Sequence, residues 1–210
     1  MNNHLVLLGD SIFDNALYVP NGLSVLKHVR NLVAESCDVT MSALDGATVS
    51  SVFRQIERIP TTATHLALSV GGNDALRLAA TVFMETTSNV GSSFQRVSEE
   101  MATFRSEYKR LVSELLDLQL PLATCTIYDC VPVLQSSEKG GLGLFNDTIT
   151  RTAFELGSTL IDLRTICNEK SDYSEVSPIE PSDKGGLKIA TAIVTALFGE
   201  GEAKKRSVIA

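Results

Sequence analysis

The first residues with clear chemical potential are Gly9-Asp10-Ser11, which follow the first apolar run of the chain, residues 5–8. A serine hydroxyl becomes a nucleophile when a neighbouring group accepts its proton. Gly9 allows the backbone to turn sharply, so that Ser11 is presented at the end of the apolar run. By itself, the tripeptide is also compatible with the N-cap of a helix.

Two further polar positions follow the next two apolar runs. Gly46 opens a helical pattern, so its backbone N–H is free to face an anion. Asn73 follows a pair of glycines and offers an amide donor, while Asp74 is suited to accept backbone N–H groups of its own loop. Each position alone is also typical of an ordinary turn. Together, the N–H groups of Ser11 and Gly46 and the Asn73 amide form a set of oxyanion donors.

An alternation of strand-like and helical segments must position these residues. Continuous apolar runs, typical of strands covered on both faces, predict five strands over residues 5–8, 39–43, 66–70, 120–127 and 159–163. Helical spacing of apolar residues predicts helices over residues 22–33, 47–59, 94–118, 144–156 and 184–198. This order indicates a five-stranded parallel sheet with helices on both faces, which binds ligands at the carboxyl ends of its strands.

The connecting segments complete a one-domain plan. Residues 75–93 and 129–143 are predicted as loops that shape a substrate pocket. Residues 138–143 are rich in glycine, but they lack the third glycine of a dinucleotide-binding loop and do not closely follow a strand. We therefore predict a single domain over residues 1–200 and a polar tail over residues 201–210.

Composition narrows the range of partners. The formal net charge of −7 argues against nucleic acid. The amino-terminal apolar run is too short for a signal peptide or a membrane span, so we expect a cytoplasmic protein without membrane contact. The four cysteines have no metal-ligand spacing and are predicted to be free thiols. The sequence leaves the oligomeric state open, a homo-oligomer included.

The three polar blocks, in this order, resemble those of the SGNH (GDSL) hydrolase family. Gly9-Asp10-Ser11 matches its first block, Gly46 its second, and Gly71-Gly72-Asn73-Asp74 its third, so the resemblance covers nearly the whole chain. It implies a flavodoxin-like three-layer α/β/α fold and ester hydrolysis. Ser11 is then the nucleophile, Gly46 and Asn73 supply the oxyanion hole, and Asp10 is a further binding position.

The chain departs from the family in its last block, D-x-x-H. Pro181 and the glycine pair after it set the register, which puts Glu180 at the histidine position and Ser177 at the aspartate position. No other histidine can substitute. His4 and His65 precede strands, which places them at the opposite edge of the sheet, and the end of the first helix, which carries the third histidine, points away from the strand tips. The usual Ser-His-Asp triad therefore cannot form.

Glu180 remains the candidate base, with Arg54 as its candidate partner. A carboxylate with an ordinary pKa of about 4.3 is a poor base at neutral pH, but partial burial raises the pKa. Arg54 lies about two turns into the helix that Gly46 opens, from where it could orient Glu180 or bind a substrate anion. An Arg partner would also lower the Glu180 pKa. The alternatives are a solvated Arg54 and a Glu180 that caps the last helix.

The sequence therefore predicts a serine esterase that slowly hydrolyses small or activated carboxylic esters. Ser11 attacks the acyl carbon, Gly46 and Asn73 stabilise the oxyanion, and Glu180 with Arg54 replaces the histidine system. The alternative is a catalytically silent scaffold that binds an acyl or acetyl-sugar ligand. No cofactor and no metal site are expected, because the acidic residues near the motifs do not cluster and no histidine joins them.

Overall fold

A wholly parallel, five-stranded sheet forms the middle layer of the molecule. The computed structural model describes residues 2–199. Its strands are β1 (Asn3–Gly9), β2 (Cys37–Met41), β3 (His65–Ser69), β4 (Leu122–Cys125) and β5 (Thr159–Ile161). They lie in the order β2-β1-β3-β4-β5, with every neighbouring pair parallel. The predicted flavodoxin-like α/β sandwich is therefore confirmed.

Seven α-helices cover the two faces of this sheet within the described residues. They are α1 (Val25–Leu32), α2 (Val49–Ile56), α3 (Gly72–Thr81), α4 (Val90–Leu116), α5 (Ser136–Leu156), α6 (Leu163–Ile166) and α7 (Asp183–Phe198). The two faces have separate apolar cores: α1 and α7 pack with Leu5 and Leu7 of β1, whereas α2, α4 and α5 pack with Val6 and Leu8. Successive side chains of a strand point to opposite faces, so β1 contributes to both cores.

Two predicted loops are in fact largely helical. Residues 75–93 contain most of α3 and the start of α4, and the glycine-rich residues 138–143 lie inside α5. Helix α3 buries only Leu78 completely, so its sequence carries little of the apolar pattern that marks a packed helix. In α5 the glycines obscure the pattern, but a capping box formed by Gln135 and Glu138 starts the helix.

Helices α4 and α5 extend beyond the carboxyl edge of the sheet. A helix of 27 residues such as α4 is about 40 Å long, whereas a strand of 7 residues such as β1 spans about 23 Å. The buried residues of α4 begin at Met101 and those of α5 at Leu142, so the first turns of both helices lie outside the main core. Together with α3, these turns form a helical wall above the edge where ligands are expected.

The cysteines, the helices and the C-terminal tail relate to expectations drawn from composition. All four cysteines are free thiols, as predicted. None of the helices within residues 2–199 has both the length and the hydrophobicity needed to cross a bilayer. The predicted polar tail over residues 201–210 lies outside the described part of the chain.

The end of β1 depends on a glycine. Gly9 has a φ of 125°, and a Cβ atom at this position would lie 1.8 Å from the carbonyl oxygen of Ser69. We expect Gly9→Ala to lower the free energy of unfolding by about 3 kcal/mol, because both a clash and a left-handed backbone must be relieved. Urea denaturation followed by circular dichroism measures this change.

Gly143 provides the matched control for this substitution. It lies in α5, and a Cβ atom there would meet nothing within 4 Å. Gly143→Ala should leave the protein as stable or more stable by about 0.5–1 kcal/mol, since alanine is the better helix former. Similar denaturation midpoints for both variants would contradict the role of Gly9.

Candidate active site

Ser11 follows directly from the turn that ends β1. The Asp10 N–H donates to the Ser69 carbonyl at 3.0 Å, which ties the chain just beyond β1 to the end of β3. The N–H groups of Phe13 and Asp14 both donate to the Asp10 carbonyl at 3.1 Å, so the chain curls tightly around this position. As a result, Ser11 is held at the carboxyl edge of the sheet and is buried except where it faces a cavity.

The cavity beside Ser11 has a volume of about 90 Å³. Its polar end carries Asp10, Ser11, Asn73 and Glu180, three of which follow β1 or β3 directly while Glu180 comes from the loop before α7. The rest of the wall is mainly apolar, and its largest side chains are Ile12, Leu76, Leu78, Phe83, Ile127, Tyr128, Val131, Leu134, Leu142, Phe145 and Ile179. Both segments expected to shape the pocket, residues 75–93 and 129–143, contribute to this wall.

Two side chains hold the loop that carries Glu180. The Tyr128 hydroxyl donates to the Ile179 carbonyl at 2.7 Å. The Asn15 amide donates to the Pro181 carbonyl at 3.1 Å, and the Asn15 side-chain oxygen accepts the N–H of the first residue of α1. The backbone is therefore fixed on both sides of Glu180 by residues of the β1 and β4 loops. This arrangement brings Glu180 to Ser11 although the two are far apart in sequence.

Burial raises the pKa of Glu180 to about 7. Only 4% of the residue is exposed, and desolvation disfavours the charged carboxylate. The nearby Ser11 hydroxyl acts in the opposite direction, and the charges of Asp45 and Asp14 raise the pKa further. The Glu180 Oε2 atom has no hydrogen-bond partner among residues 2–199. A group with this pKa is suited to exchange protons near neutral pH.

Asp10 places a second carboxyl group beneath the same cavity. It is fully buried, and desolvation raises its pKa well above the ordinary value. The Ile12 N–H, which donates to Oδ1 at 3.1 Å, opposes this rise, whereas the nearby charges of Glu180 and Asp74 add to it. Because like charges disfavour each other, ionisation of Glu180 favours the protonated form of Asp10.

Asn73 and Asp74 connect the start of α3 to the start of α2. The Asn73 amide donates to the Ala47 carbonyl at 3.0 Å. The Asp74 Oδ2 atom accepts the Val49 N–H at 3.1 Å, so this hydrogen bond binds the first residue of α2 and not a group of its own loop. An amide nitrogen carries two hydrogens, so Asn73 retains one donor for a ligand in the cavity that it lines.

Gly46 does not line the cavity. It is exposed in a turn with a φ of 76°, and its N–H donates to no protein group within residues 2–199. The expected placement of Gly46 beside Asn73 as a cavity residue is therefore not seen. The Gly46 N–H is free to bind a ligand, but the turn places it outside the cavity wall.

The expected pairing of Arg54 with Glu180 is not formed. Arg54 is exposed, it is not part of the cavity wall, and it does not contribute to the pKa of Glu180. The reason is helical geometry: α2 buries Val49, Val52 and Gln55 against the sheet, and Arg54 lies on the other side of this face. Arg54 is thus a solvated surface residue, which is the alternative that the sequence left open.

Gln55 is the structural residue that sequence reasoning missed. Its side-chain oxygen accepts the Gly9 N–H and its amide donates to the Gly9 carbonyl, both at 2.8 Å. This pair of hydrogen bonds holds the turn before Ser11. A polar residue three positions after Val52, on the apolar face of α2, was the signal that could have indicated it.

None of the three histidines lines the cavity. His4 contacts the hydroxyls of Thr62 and Thr40, both at 2.8 Å, near the amino-terminal edge of the sheet. His28 pairs with Asp183 at 2.7 Å. His65 packs against the Phe198 ring. Ser11 therefore has Glu180, and no imidazole, as its titratable partner.

The same fold occurs in several solved structures. An acetyl xylan esterase, AlAXEase, superimposes with a TM-score of 0.70 at 16% identity, covering 93% of this chain and 100% of its own. An acetylxylan esterase from Geobacillus stearothermophilus gives a TM-score of 0.71 at 16% identity, covering 94% and 95%. An extracellular lipase from Streptomyces rimosus gives 0.64 at 15% identity, covering 92% and 99%.

These similarities define the class of fold. At 15–16% identity the chain shares the fold of these esterases and this lipase, which is the three-layer α/β fold that its motifs predicted. No family model and no curated protein matches the sequence. Some of the Geobacillus structures are catalytic mutants in which a serine, an aspartate or a histidine is replaced by alanine.

The raised pKa of Glu180 predicts a pH-dependent stability. The folded-state pKa of about 7 lies above the ordinary value of 4.5, so the folded state binds the proton more tightly than the unfolded state does. Glu180 therefore costs no stability below the unfolded pKa and an increasing amount as the pH rises through 7. At pH 8 we expect Glu180→Gln to raise the free energy of unfolding by roughly 1–3 kcal/mol, with little gain near pH 4.5.

Denaturation of both proteins across this pH range measures the difference. Glu175→Gln is the matched control, because Glu175 is exposed in the same loop. A Glu180→Gln variant that is destabilised equally at all pH values would instead identify Glu180 as a structural cap.

Proposed function

We propose that the protein is a serine carboxylic-ester hydrolase in which Glu180 replaces the usual histidine. The observation that carries this proposal is the position of the Ser11 hydroxyl beside a buried carboxylate whose pKa is about 7, in the wall of one cavity. The solved structures that share the fold are named as esterases and a lipase, which supports ester hydrolysis as the class of reaction. The substrate is a small neutral ester.

The proposed reaction proceeds in two halves. Ionised Glu180 accepts the proton of Ser11 as Oγ attacks the acyl carbon, and a tetrahedral oxyanion forms. The oxyanion collapses, the bond to the alcohol oxygen breaks, and Glu180 returns the proton to the leaving alkoxide. Water then attacks the acyl-enzyme with Glu180 again as base, which releases the carboxylic acid and restores the Ser11 hydroxyl.

The start of α3 supports oxyanion stabilisation. Gly72 and Asn73 are its first two residues and both line the cavity, so the positive end of the helix dipole faces the site. The second hydrogen of the Asn73 amide and the Ser11 N–H, which donates to no protein group within residues 2–199, are the nearest donors. In this proposal Gly46 contributes its N–H only from the margin.

The charges around the site favour neutral substrates and slow turnover. Asp10, Asp14 and Asp45 lie close enough to influence the site, and no cation of residues 2–199 contributes to the pKa of Glu180. Negative charge that develops on the oxyanion is therefore opposed by its neighbours. An oxyanion hole without the full triad still accelerates such reactions by about 10³–10⁴-fold over water in related systems.

The same acidic surroundings favour one alternative, a scaffold that binds an ester or acyl ligand without turning it over. A site that keeps its donors but opposes the build-up of negative charge binds a neutral ground state better than an anionic transition state. Hydrolysis of p-nitrophenyl acetate separates the two functions.

We expect the purified protein to hydrolyse p-nitrophenyl acetate and Ser11→Ala to lose this activity. Glu180→Gln keeps the shape of the side chain without the base and should lower kcat by about 10²-fold. In the wild type, kcat/KM should fall as the pH drops through about 7, because protonated Glu180 cannot accept the serine proton. A stopped assay of released p-nitrophenol across pH measures all three effects.

Arg54→Ala is the control, and it should leave kcat within about twofold of the wild type because Arg54 is exposed outside the cavity. Full activity of Glu180→Gln with an unchanged acid limb would remove Glu180 from the mechanism. Equal rates for the wild type and Ser11→Ala would favour the binding scaffold.

A further inference from the structure

The polar groups of the cavity are concentrated at the sheet edge. Beyond the polar end formed by Asp10, Ser11, Asn73 and Glu180, the wall is mainly apolar and comes from α3, from the 3-10 turn Val82–Met84, from residues 127–134 and from α5. Glu138 is the exception, and its carboxylate accepts the Gln135 N–H at 2.7 Å as part of the helix cap. Sugar hydroxyls placed in this part of the cavity would lose hydrogen bonds to water and find few protein partners. A hydrocarbon chain makes no hydrogen bonds and would not carry this cost.

The cavity follows successive turns of α3 away from the nucleophile. Its wall takes Asn73 from the first turn, Leu76 and Ala79 from the following turns, and Phe83 from just beyond the helix. Phe83 therefore lies at the end of the α3 wall remote from Ser11. A space that extends along one helix suits an unbranched chain better than a compact ring.

Phe83 occupies its position because α5 has a glycine opposite it. A Cβ atom on Gly141 would lie 2.6 Å from Phe83 Cζ, so the ring rests directly on the helix backbone. At Gly140 and Gly143 a Cβ atom would meet nothing within 4 Å. The contact is thus specific to Gly141, and it joins the end of α3 to α5 where both contribute to the cavity wall.

The cavity volume limits the length of the chain. An apolar cavity of about 150 Å³ is enough for a benzene molecule, and the cavity here has about 90 Å³. By this comparison it holds a chain of about four carbons. The carboxylates at its polar end disfavour a free acid and favour a neutral acyl group.

We propose that this cavity is the acyl pocket for a short, unbranched acyl group of the butyryl class, and that Phe83, seated on Gly141, sets its chain-length limit. This assignment rests on the proposed esterase function. It places the acyl part of the ester along α3, with the carbonyl carbon at Ser11 and the alcohol part at the mouth of the cavity.

The kinetic test compares kcat/KM for p-nitrophenyl acetate, butyrate, hexanoate and decanoate. Butyrate should exceed acetate by roughly tenfold, since each buried methylene contributes about 0.8 kcal/mol, and decanoate should be poor. Phe83→Ala should shift the preference to hexanoate or longer chains. Phe94→Ala is the matched control, because Phe94 is an exposed phenylalanine of α4 outside the cavity wall.

A binding test in Ser11→Ala does not depend on turnover. Saturation-transfer NMR should detect methyl butyrate more strongly than methyl acetate, and adding Phe83→Ala should improve binding of methyl hexanoate. These neutral probes avoid repulsion by the buried carboxylates.

The kinetic test and the binding test distinguish failure of the esterase proposal from failure of the acyl-pocket proposal. Absence of hydrolysis together with selective binding of methyl butyrate would overturn the esterase but keep the acyl pocket. A preference for acetate in both tests, or a chain-length profile that Phe83→Ala and Phe94→Ala leave equally unchanged, would overturn the acyl pocket even in an active esterase.

Discussion

The close approach of β1 and β3 at Gly9 is the contact on which the candidate site depends. The Gly9 backbone lies so near Ser69 that no side chain fits between them, and both polar groups of the Gly9 backbone bind the Gln55 side chain. Because the turn is held by Gln55 and packed against Ser69, the residue that follows it, Ser11, faces the cavity. Helix α2 thus positions Ser11 through Gln55, although it contributes no side chain to the cavity wall.

Glu180, a buried carboxylate that pairs with no cation in the described part of the chain, gives the site its chemical character. Charge pairing with an arginine would stabilise ionised Glu180, but it would also hold the pKa too low for a base at neutral pH. Here desolvation and neighbouring carboxylates raise that pKa instead. The same features make the site costly to ionise and unfavourable for an oxyanion. These properties are consistent with the proposed slow hydrolysis of neutral esters. Burial of Glu180 lowers the stability of the fold, but it gives the carboxylate a pKa suited to a base at neutral pH.

The parts of the fold that sequence reasoning recovered were those with strong local patterns. The central strands are continuous apolar runs. The register given by Pro181 and the following glycines predicted Glu180 near Ser11, and both residues line the cavity. Helix α3 and the first turns of α5 were missed because they extend above the core, where burial imposes no apolar period. Arg54 was misplaced because one residue along a helix rotates the side chain by about 100°.

By itself, the sequence predicted the five strands in their order along the chain, Ser11 as the candidate nucleophile, and the lack of a histidine that could reach it. These features depend on residue identity and on local periodicity, which are present in the linear chain. Only the tertiary structure decided the pKa of Glu180, the role of Gln55 and the apolar wall that ends at Phe83 and Gly141. Each of these arises from groups far apart in sequence, because desolvation and close packing depend on which segments meet in three dimensions.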